Sequence, residues 1–251
     1  MILHHVISGS GSPLVLIHPV GLDLDFLQDL ATLLEPEHRV IRMDVRGHGR
    51  SALFPMAQDM ADFADDVHET LVHLGVAPCA VAGFSFGGMI AQTLAIRHPT
   101  DVSALLPCAG PCTHDPARRL IVAARGTDAL QGGMRAVLDA TLQRWFTPAF
   151  MNTETAQRTR AYLAARDPRG WAQGWQAIAG LDTLPHLPSL RVPTLCIAGE
   201  LDQSTQVAAV QKIADAIPGA TMRVIAGAPH MLFIEQPAAV AQEILGFLRS
   251  L

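Results

Sequence analysis

The chain is poor in charge, in aromatic side chains and in long apolar runs. Charged residues make up 16% of its 251 residues and aromatic residues 5%, with a single tyrosine, whereas hydrophobic residues reach 49%. No block is rich in lysine and arginine, and the formal net charge of −5 argues against nucleic acid as the main partner. No apolar stretch reaches the length of a membrane span, and no signal-like segment opens the chain. We therefore expect a cytoplasmic protein with a large buried core and no membrane partner.

The spacing of cysteine and histidine gives little support for a metal site. The closest cysteines, Cys108 and Cys112, are separated by three residues that include Gly110 and Pro111, and the four cysteines as a set form no metal-binding pairs. His68 and His73 are five residues apart, so they would not share a helix face as two zinc-binding histidines four residues apart do. We expect structural thiols in a reducing compartment, and neither a metal nor a cofactor.

Apolar runs alternate with helical patterns along most of the chain. The first strand-like runs after the N-terminal one are Leu14–Ile17, Arg39–Met43, Cys79–Ala82 and Val102–Cys108. This alternation is typical of βαβ units and predicts an α/β fold with a mostly parallel sheet flanked by helices. It lapses where helical segments are broken by prolines and glycines, and it resumes near residue 193. The sequence therefore predicts a core at residues 1–109 and 189–251, with a helical cap inserted at residues 110–188.

A glycine-rich turn at residues 83–88 stands between a strand pattern and a helix pattern. It has the form small-x-Ser-x-small, in which flanking glycines permit a cramped backbone that lifts the serine hydroxyl above the sheet edge. An incidental serine in a glycine-rich turn fits so short a pattern equally well. The strand before it and the helix after it favour the first interpretation, and Ser85 is the predicted nucleophile.

A serine hydroxyl needs a base within hydrogen-bond reach and a third group that orients the base. Asp202 follows one of the resumed strands and His230 follows the next, so all three side chains are expected at the same edge of the sheet. Their order along the chain, Ser then Asp then His, is the order found in one common arrangement of this triad. Glu200 is a competing acid, because it lies two residues away on the same turn.

Acyl transfer also requires hydrogen-bond donors for the developing oxyanion. The backbone N–H of Phe86, at the start of the helix after the turn, is one predicted donor. The second is expected from the loop after Leu14–Ile17, where Pro19 has no N–H and therefore leaves Val20.

Two further sets of polar residues near this edge are assigned structural roles. His18 is expected to brace the loop that contains Val20. Asp44 and Arg46 lie in a loop rich in turn residues, and we expect them to pair with each other rather than to act in catalysis.

The predicted cap holds all three tryptophans and the only tyrosine. Such side chains suit a lid over an apolar pocket, and they suit equally well a layer that packs the cap onto the core. We predict substrate contacts from Trp145 in the cap, and from Phe84 and Met231, which adjoin the predicted nucleophile and base.

Five motifs together resemble the α/β-hydrolase superfamily over nearly the whole chain. They lie at residues 18–21 (HPVG), 44–51 (DVRGHGRS), 83–88 (GFSFGG), 199–202 (GELD) and 229–230 (PH). Within the superfamily, residues 132–150 and 165–170 are similar to 3-oxoadipate enol-lactonases. The resemblance implies a cofactor-free serine hydrolase that cleaves a carboxylic ester or lactone of a small molecule through an acyl-enzyme.

The same resemblance leaves other functions open, because one scaffold serves many chemistries. They include carbon–carbon bond hydrolases, cofactor-independent oxygenases, lyases, and receptors that bind a small molecule with little turnover. If the substrate is a lactone that bears a carboxylate, a cap arginine such as Arg144 could pair with it, and a solvent-exposed Arg144 is the alternative. The sequence leaves the oligomeric state open, a homo-oligomer included.

Overall fold

A seven-stranded sheet runs through the molecule, and the computed structural model describes all of residues 1–251. Its strands are β1 (His5–Ser8), β2 (Ser12–Ile17), β3 (His38–Met43), β4 (Cys79–Phe84), β5 (Val102–Cys108), β6 (Leu195–Gly199) and β7 (Thr221–Ile225). The strand order is β1-β3-β2-β4-β5-β6-β7, and only β1 runs antiparallel to its neighbour. The predicted fold class is confirmed.

Ten α-helices flank the sheet or join its strands. They are α1 (Gln28–Leu34), α2 (Met60–Leu74), α3 (Phe86–Arg97), α4 (Pro116–Gly132), α5 (Leu138–Trp145), α6 (Glu154–Ala164), α7 (Pro168–Ala179), α8 (Val207–Ala216), α9 (Leu232–Glu235) and α10 (Pro237–Leu248). Short 3-10 helices lie at Leu24–Leu27, Met134–Ala136, Phe150–Asn152 and Leu187–Ser189. None of the helices combines the length and the apolarity that crossing a bilayer requires. Four of them, α4 to α7, lie between β5 and β6, within the stretch where the β-α alternation lapses.

The ends of α2 show how local sequence sets the helix boundaries. The Asp59 side chain accepts hydrogen bonds from the backbone N–H groups of Ala61 and Asp62, which have no partner inside the helix. Gly75 ends the helix with φ of 61°, a left-handed conformation that glycine adopts without a steric penalty. Phe63 lies on the buried stripe between these ends and packs into the core.

The register of the parallel strands aligns their carboxyl ends along one edge of the sheet. Ile17 at the end of β2 pairs with Gly83 in β4, while Cys108 at the end of β5 pairs with Phe84 on one side and Ile197 on the other. The strands themselves are mostly buried, so the loops that follow them are the parts of the sheet that can reach a ligand.

The predicted pairing of Asp44 with Arg46 is wrong. The Arg46 guanidinium donates to both carboxylate oxygens of Asp66 in α2, at 2.6 Å each. Asp44 instead accepts from the backbone N–H groups of Leu24 at 2.8 Å and Arg50 at 2.9 Å. The two side chains of this loop thus point in different directions, and they connect the loop to separate parts of the core.

Candidate active site

The turn between β4 and α3 holds Ser85 in a strained conformation, with φ of 53° and ψ of −110°. A Cβ at Gly83 would lie 2.0 Å from the Gly87 carbonyl oxygen, and a Cβ at Gly87 would lie 2.1 Å from that of Ile17. Both positions therefore require glycine. The Ser85 N–H donates to the Cys108 carbonyl at 2.7 Å, which ties the turn to β5 and helps to maintain the strain.

Three buried side chains form a continuous hydrogen-bonded chain at this turn. Ser85 Oγ lies 3.0 Å from His230 Nε2, and His230 Nδ1 lies 2.8 Å from Asp202 Oδ2. The other carboxylate oxygen of Asp202 accepts from the backbone N–H groups of Ser204 and Thr205, at 2.7 Å each. When Nδ1 donates its proton to Asp202, Nε2 has a free lone pair that can take the serine proton. The arrangement can thus generate a serine nucleophile.

The structure brings Asp202 to the histidine and leaves Glu200 away from it. Glu200 is exposed, and its carboxylate accepts from the backbone N–H of Gly227 at 2.7 Å. Asp202 is 5% exposed and His230 is 4% exposed. The two acids follow the same strand, and their different side-chain directions separate them.

Two backbone donors stand free near the turn. The N–H of Val20 donates to no acceptor in the protein, and the N–H of Phe86, as that of a first helical residue, has no partner inside the helix. Phe86 is the first residue of α3, where the helix dipole and the unpaired N–H groups favour negative charge. A Cβ at Gly174 in α7 would lie 2.7 Å from the Val20 side chain and 3.7 Å from the Phe86 ring, so α7 packs directly on both residues.

His18 lies under the loop that carries Val20, and its two ring nitrogens hold the loop in place. Nδ1 lies 2.7 Å from the Pro19 carbonyl oxygen, and Nε2 accepts from the Val45 N–H at 3.0 Å, which makes the ring a neutral Nδ1–H tautomer. The His48 ring lies 5.3 Å away. Burial, assisted by His18, lowers the pKa of His48 to about 3, and burial also lowers the pKa of His18. Both rings are uncharged at neutral pH.

A narrow cavity with a volume of about 20 Å³ lies beside Ser85 and His230. Met89 of α3 lines it, together with Trp175 and Ile178 of α7. The remaining part of the wall comes from α4, from the loop between β5 and α4, and from the loop after β6. Helices inserted between β5 and β6 therefore supply much of the surface that a bound molecule would touch.

None of the three predicted substrate contacts, Phe84, Trp145 and Met231, is among the residues that line this cavity. Phe84 ends β4 fully buried, with its ring centroid 4.6 Å from that of Phe233. Trp145 is buried against Trp171, and its carbonyl accepts the N–H of Met231 at 3.0 Å. These residues connect core and insertion behind the cavity.

Sequence reasoning missed the aromatic and cationic residues that do line the cavity. Trp175 lies four residues after Trp171 on α7, and Arg118 and Arg125 lie seven residues apart on α4. Helical periodicity places residues seven apart on one face, so the sequence indicates that Arg118 and Arg125 lie on the same face of a helix. The sequence does not indicate which face of that helix lines the cavity. Arg144 is half-buried and off the wall, so it is neither a lining residue nor a fully exposed one.

Away from this site, His68, His98 and Asp101 bring potential metal-ligand atoms within 4.8 Å of one another. The two imidazole rings stack at 3.8 Å, and each one contacts a carboxylate: His68 lies 2.6 Å from Asp101, and His98 lies 2.8 Å from Asp65. Ring stacking and these hydrogen bonds account for the cluster without a metal ion.

The chain belongs to the α/β-hydrolase fold family, whose profile matches residues 12–237. It is 28% identical over 228 residues to 3-oxoadipate enol-lactonase 2 of Acinetobacter baylyi, covering 90% of this chain and 84% of that protein. It is also similar to the crystal structure of the enol-lactonase from Burkholderia xenovorans, with a TM-score of 0.92 and 30% identity over 98% of this chain and 96% of that one. A malate-bound esterase from Thermogutta terrifontis has a TM-score of 0.91 and 26% identity over 99% and 93% of the two chains.

Proposed function

We propose that the protein is a serine hydrolase that cleaves a carboxylic ester or lactone of a small molecule. The observation that carries the proposal is the buried chain of hydrogen bonds from Ser85 through His230 to Asp202. Family membership supports it, as do relatives and structural neighbours named enol-lactonase and esterase.

The proposed reaction starts with attack of Ser85 Oγ on the substrate carbonyl while His230 Nε2 takes the serine proton. Asp202 holds the imidazole in the required tautomer and stabilises the imidazolium that forms. The free N–H groups of Val20 and Phe86 are the proposed donors to the oxyanion. His230 then protonates the leaving alcohol, and water, activated by the same base, releases the acid and restores the serine.

We propose that α4 to α7 act as a cap over this site. The direct packing of α7 on Val20 and Phe86 supports this role, since a group bound at Ser85 would be enclosed between core and insertion. For a lactone, the alcohol leaving group stays attached to the acyl chain, and a cap would hold the opened product until water attacks. The names of the relatives make 3-oxoadipate enol-lactone the first specific substrate to test.

The four cysteines are free and buried, which is consistent with a protein that works in a reducing compartment, and we propose a cytoplasmic enzyme. Burial raises the pKa of Cys79 and of Cys196 to about 12, so neither thiol competes with the serine as a nucleophile at neutral pH.

The central test is hydrolysis of 4-nitrophenyl butyrate by the wild type and by Ser85→Ala. Loss of a serine nucleophile in such a triad lowers kcat by about 10⁶-fold. Ser103→Ala is a matched control, because Ser103 is an exposed serine on β5, and it is expected to retain full activity. A fluorophosphonate probe should label Ser85 in the wild type. Undiminished turnover in Ser85→Ala would contradict the proposal.

A panel of simple esters, unsaturated lactones and ring-cleavage diketones separates the proposal from its alternatives. An ester or lactone hydrolase cleaves members of the first two groups. Preferential cleavage of the diketones would indicate a carbon–carbon bond hydrolase. Ligand-induced stabilisation with negligible turnover would indicate a receptor.

A further inference from the structure

The wall that α4 contributes to the cavity is positively charged. Arg118, Val122 and Arg125 all line the cavity, and their spacing of four and three residues places them on one face of the helix. Val122 is buried, and the two arginines on either side of it are half-buried. The face therefore directs two guanidinium groups toward the space beside Ser85.

No acidic side chain balances these charges on the cavity wall, because none of the lining residues is an aspartate or a glutamate. The only side-chain hydrogen bond of Arg118 goes to the backbone carbonyl of Ser204, at 3.2 Å. The Arg125 guanidinium makes no hydrogen bond and no ion pair with another side chain. Its Cζ atom lies 4.6 Å from the centre of the Trp175 ring. Asp202, the acid of the hydrogen-bonded chain at Ser85, is committed to His230 and two backbone N–H groups.

A third cation strengthens the positive field. Burial, together with Arg144 and Arg118, lowers the pKa of Arg125 to about 10, which still leaves it charged at neutral pH. Burial and Arg118 also lower the pKa of Arg144. Like charges held together without a counter-ion raise the energy of the empty site, and a bound anion would lower it.

Buried polar atoms without a partner are concentrated at the same wall. Of seven such side-chain atoms in the protein, three belong to residues that line this cavity: His114 Nε2, Trp175 Nε1 and Ser204 Oγ. Buried polar groups in native proteins are normally hydrogen-bonded, so unpaired groups of this kind favour a site that binds a polar molecule. The indole N–H and the hydroxyl are both able to donate to an anion.

A groove beside the cavity also carries positive charge. A polar groove between the start of α4 and α8 shares several lining residues with the cavity, Arg118 and His114 among them. The groove also contains Lys212 and a single acid, Asp115, whose carboxylate accepts from the backbone N–H of Arg118 at 2.8 Å. An anionic molecule that approaches along this groove meets cations from the surface inward.

We propose that the acyl substrate carries a carboxylate, which Arg125 binds while the scissile carbonyl lies at Ser85; this inference rests on the hydrolase function proposed above. The planar guanidinium suits a carboxylate, because its fork can donate two parallel hydrogen bonds to the two oxygens. Stacking on Trp175 restricts the plane of the fork before the substrate arrives. Arg118 stands at the junction of groove and cavity and guides the anion inward.

The test compares esters that differ only in charge. Monomethyl glutarate carries a free carboxylate, and methyl 5-methylhexanoate replaces that carboxylate with an isopropyl group of similar shape. Monomethyl succinate and monomethyl adipate vary the distance between the carboxylate and the ester. For the acidic ester of matching length, we expect a wild-type kcat/KM about 10- to 100-fold above that for the neutral ester.

Arginine variants test which residue causes the preference for the acidic ester. Arg125→Gln should abolish the preference for the acidic ester, mainly through a higher KM, and Arg125→Lys should restore part of it. Arg118→Gln is a second variant in case the first fails to fold, and it should weaken the preference less. Arg135→Gln is the matched control, because Arg135 is exposed and lies outside the cavity, and the preference should be retained.

A binding measurement tests recognition of the carboxylate without requiring hydrolysis. Calorimetry with Ser85→Ala should detect monomethyl glutarate binding that Arg125→Gln removes, with inorganic phosphate as a competing anion of different shape. Equal or better cleavage of the neutral ester by the wild type would overturn the carboxylate proposal and leave the hydrolase proposal intact. Tighter binding of phosphate than of the monoester would also overturn it. If no ester is cleaved and the fluorophosphonate leaves Ser85 unlabelled, the hydrolase proposal itself fails.

Discussion

Replacing Asp202 with asparagine tests the hydrogen-bonded chain without changing its shape. The two side chains are nearly isosteric, so the variant keeps the packing around His230. In the wild type, one Asp202 oxygen accepts two backbone N–H groups at 2.7 Å each, and the other accepts His230 Nδ1 at 2.8 Å. The asparagine carbonyl oxygen must take the two backbone donors, and its NH₂ group therefore faces the imidazole.

The magnitude follows from this forced orientation. An NH₂ group can only donate, so the imidazole must accept at Nδ1, its proton moves to Nε2, and the base that faces Ser85 is lost. Rotating the amide would restore the tautomer but would leave two buried N–H groups unpaired, at about 1–3 kcal/mol each. The lost stabilisation of the imidazolium adds about 2 kcal/mol. The sum is about 6 kcal/mol, or about 10⁴-fold in kcat.

The assay is kcat for 4-nitrophenyl butyrate, measured from pH 6 to pH 9, with thermal unfolding recorded to confirm that each variant is folded. Glu200→Gln is the matched control, since Glu200 is exposed and bonds only the backbone N–H of Gly227, and its kcat should stay within about twofold of the wild type. If folded Asp202→Asn retains more than about a tenth of the activity, or if Glu200→Gln is the more damaging change, Asp202 does not have the proposed role.

Three further predictions concern stability. Gly87→Ala brings a methyl carbon within 2.1 Å of a backbone carbonyl oxygen of β2 and should lower the free energy of unfolding by about 4 kcal/mol or more in urea unfolding. In the control Gly246→Ala, the methyl group meets nothing within 4 Å, so stability should be unchanged or higher by up to about 1 kcal/mol. Asp66→Asn breaks a buried ion pair and should cost about 3–5 kcal/mol, while Asp65→Asn, in an ion pair at the surface, should cost less than about 1 kcal/mol by the same measurement. Below pH 6.5 the unfolded chain binds a proton at His48 that the folded protein, with a pKa of about 3 at this ring, does not bind. Stability should therefore fall on acidification by up to about 1.4 kcal/mol per pH unit from this group, and His48→Gln should make the fall shallower; an unchanged slope would contradict this account.

Local signals in the sequence are sufficient for the fold and for the loops that meet at the site. The glycines around Ser85 mark the turn, because a side chain at Gly83 or Gly87 collides with backbone whatever the rest of the chain does. Alternating strands and helices lead to a parallel sheet, and a parallel sheet brings the loops after its strands to one edge. That reasoning brings Ser85, Asp202 and His230 to the same edge without any knowledge of side-chain directions.

Side-chain directions depend on long-range packing and do not follow from the local patterns. Glu200 and Asp202 follow the same strand, and spacing alone does not tell which one turns toward the histidine. Asp44 and Arg46 are close in sequence, yet Arg46 finds its partner in α2, because packing across the core fixes the rotamers. The composition of the cavity wall depends on how α4 and α7 pack on the sheet. Its aromatic and cationic residues could therefore be identified only from the structure. Short-range patterns fix where the backbone turns, whereas long-range packing selects the atoms that face each other.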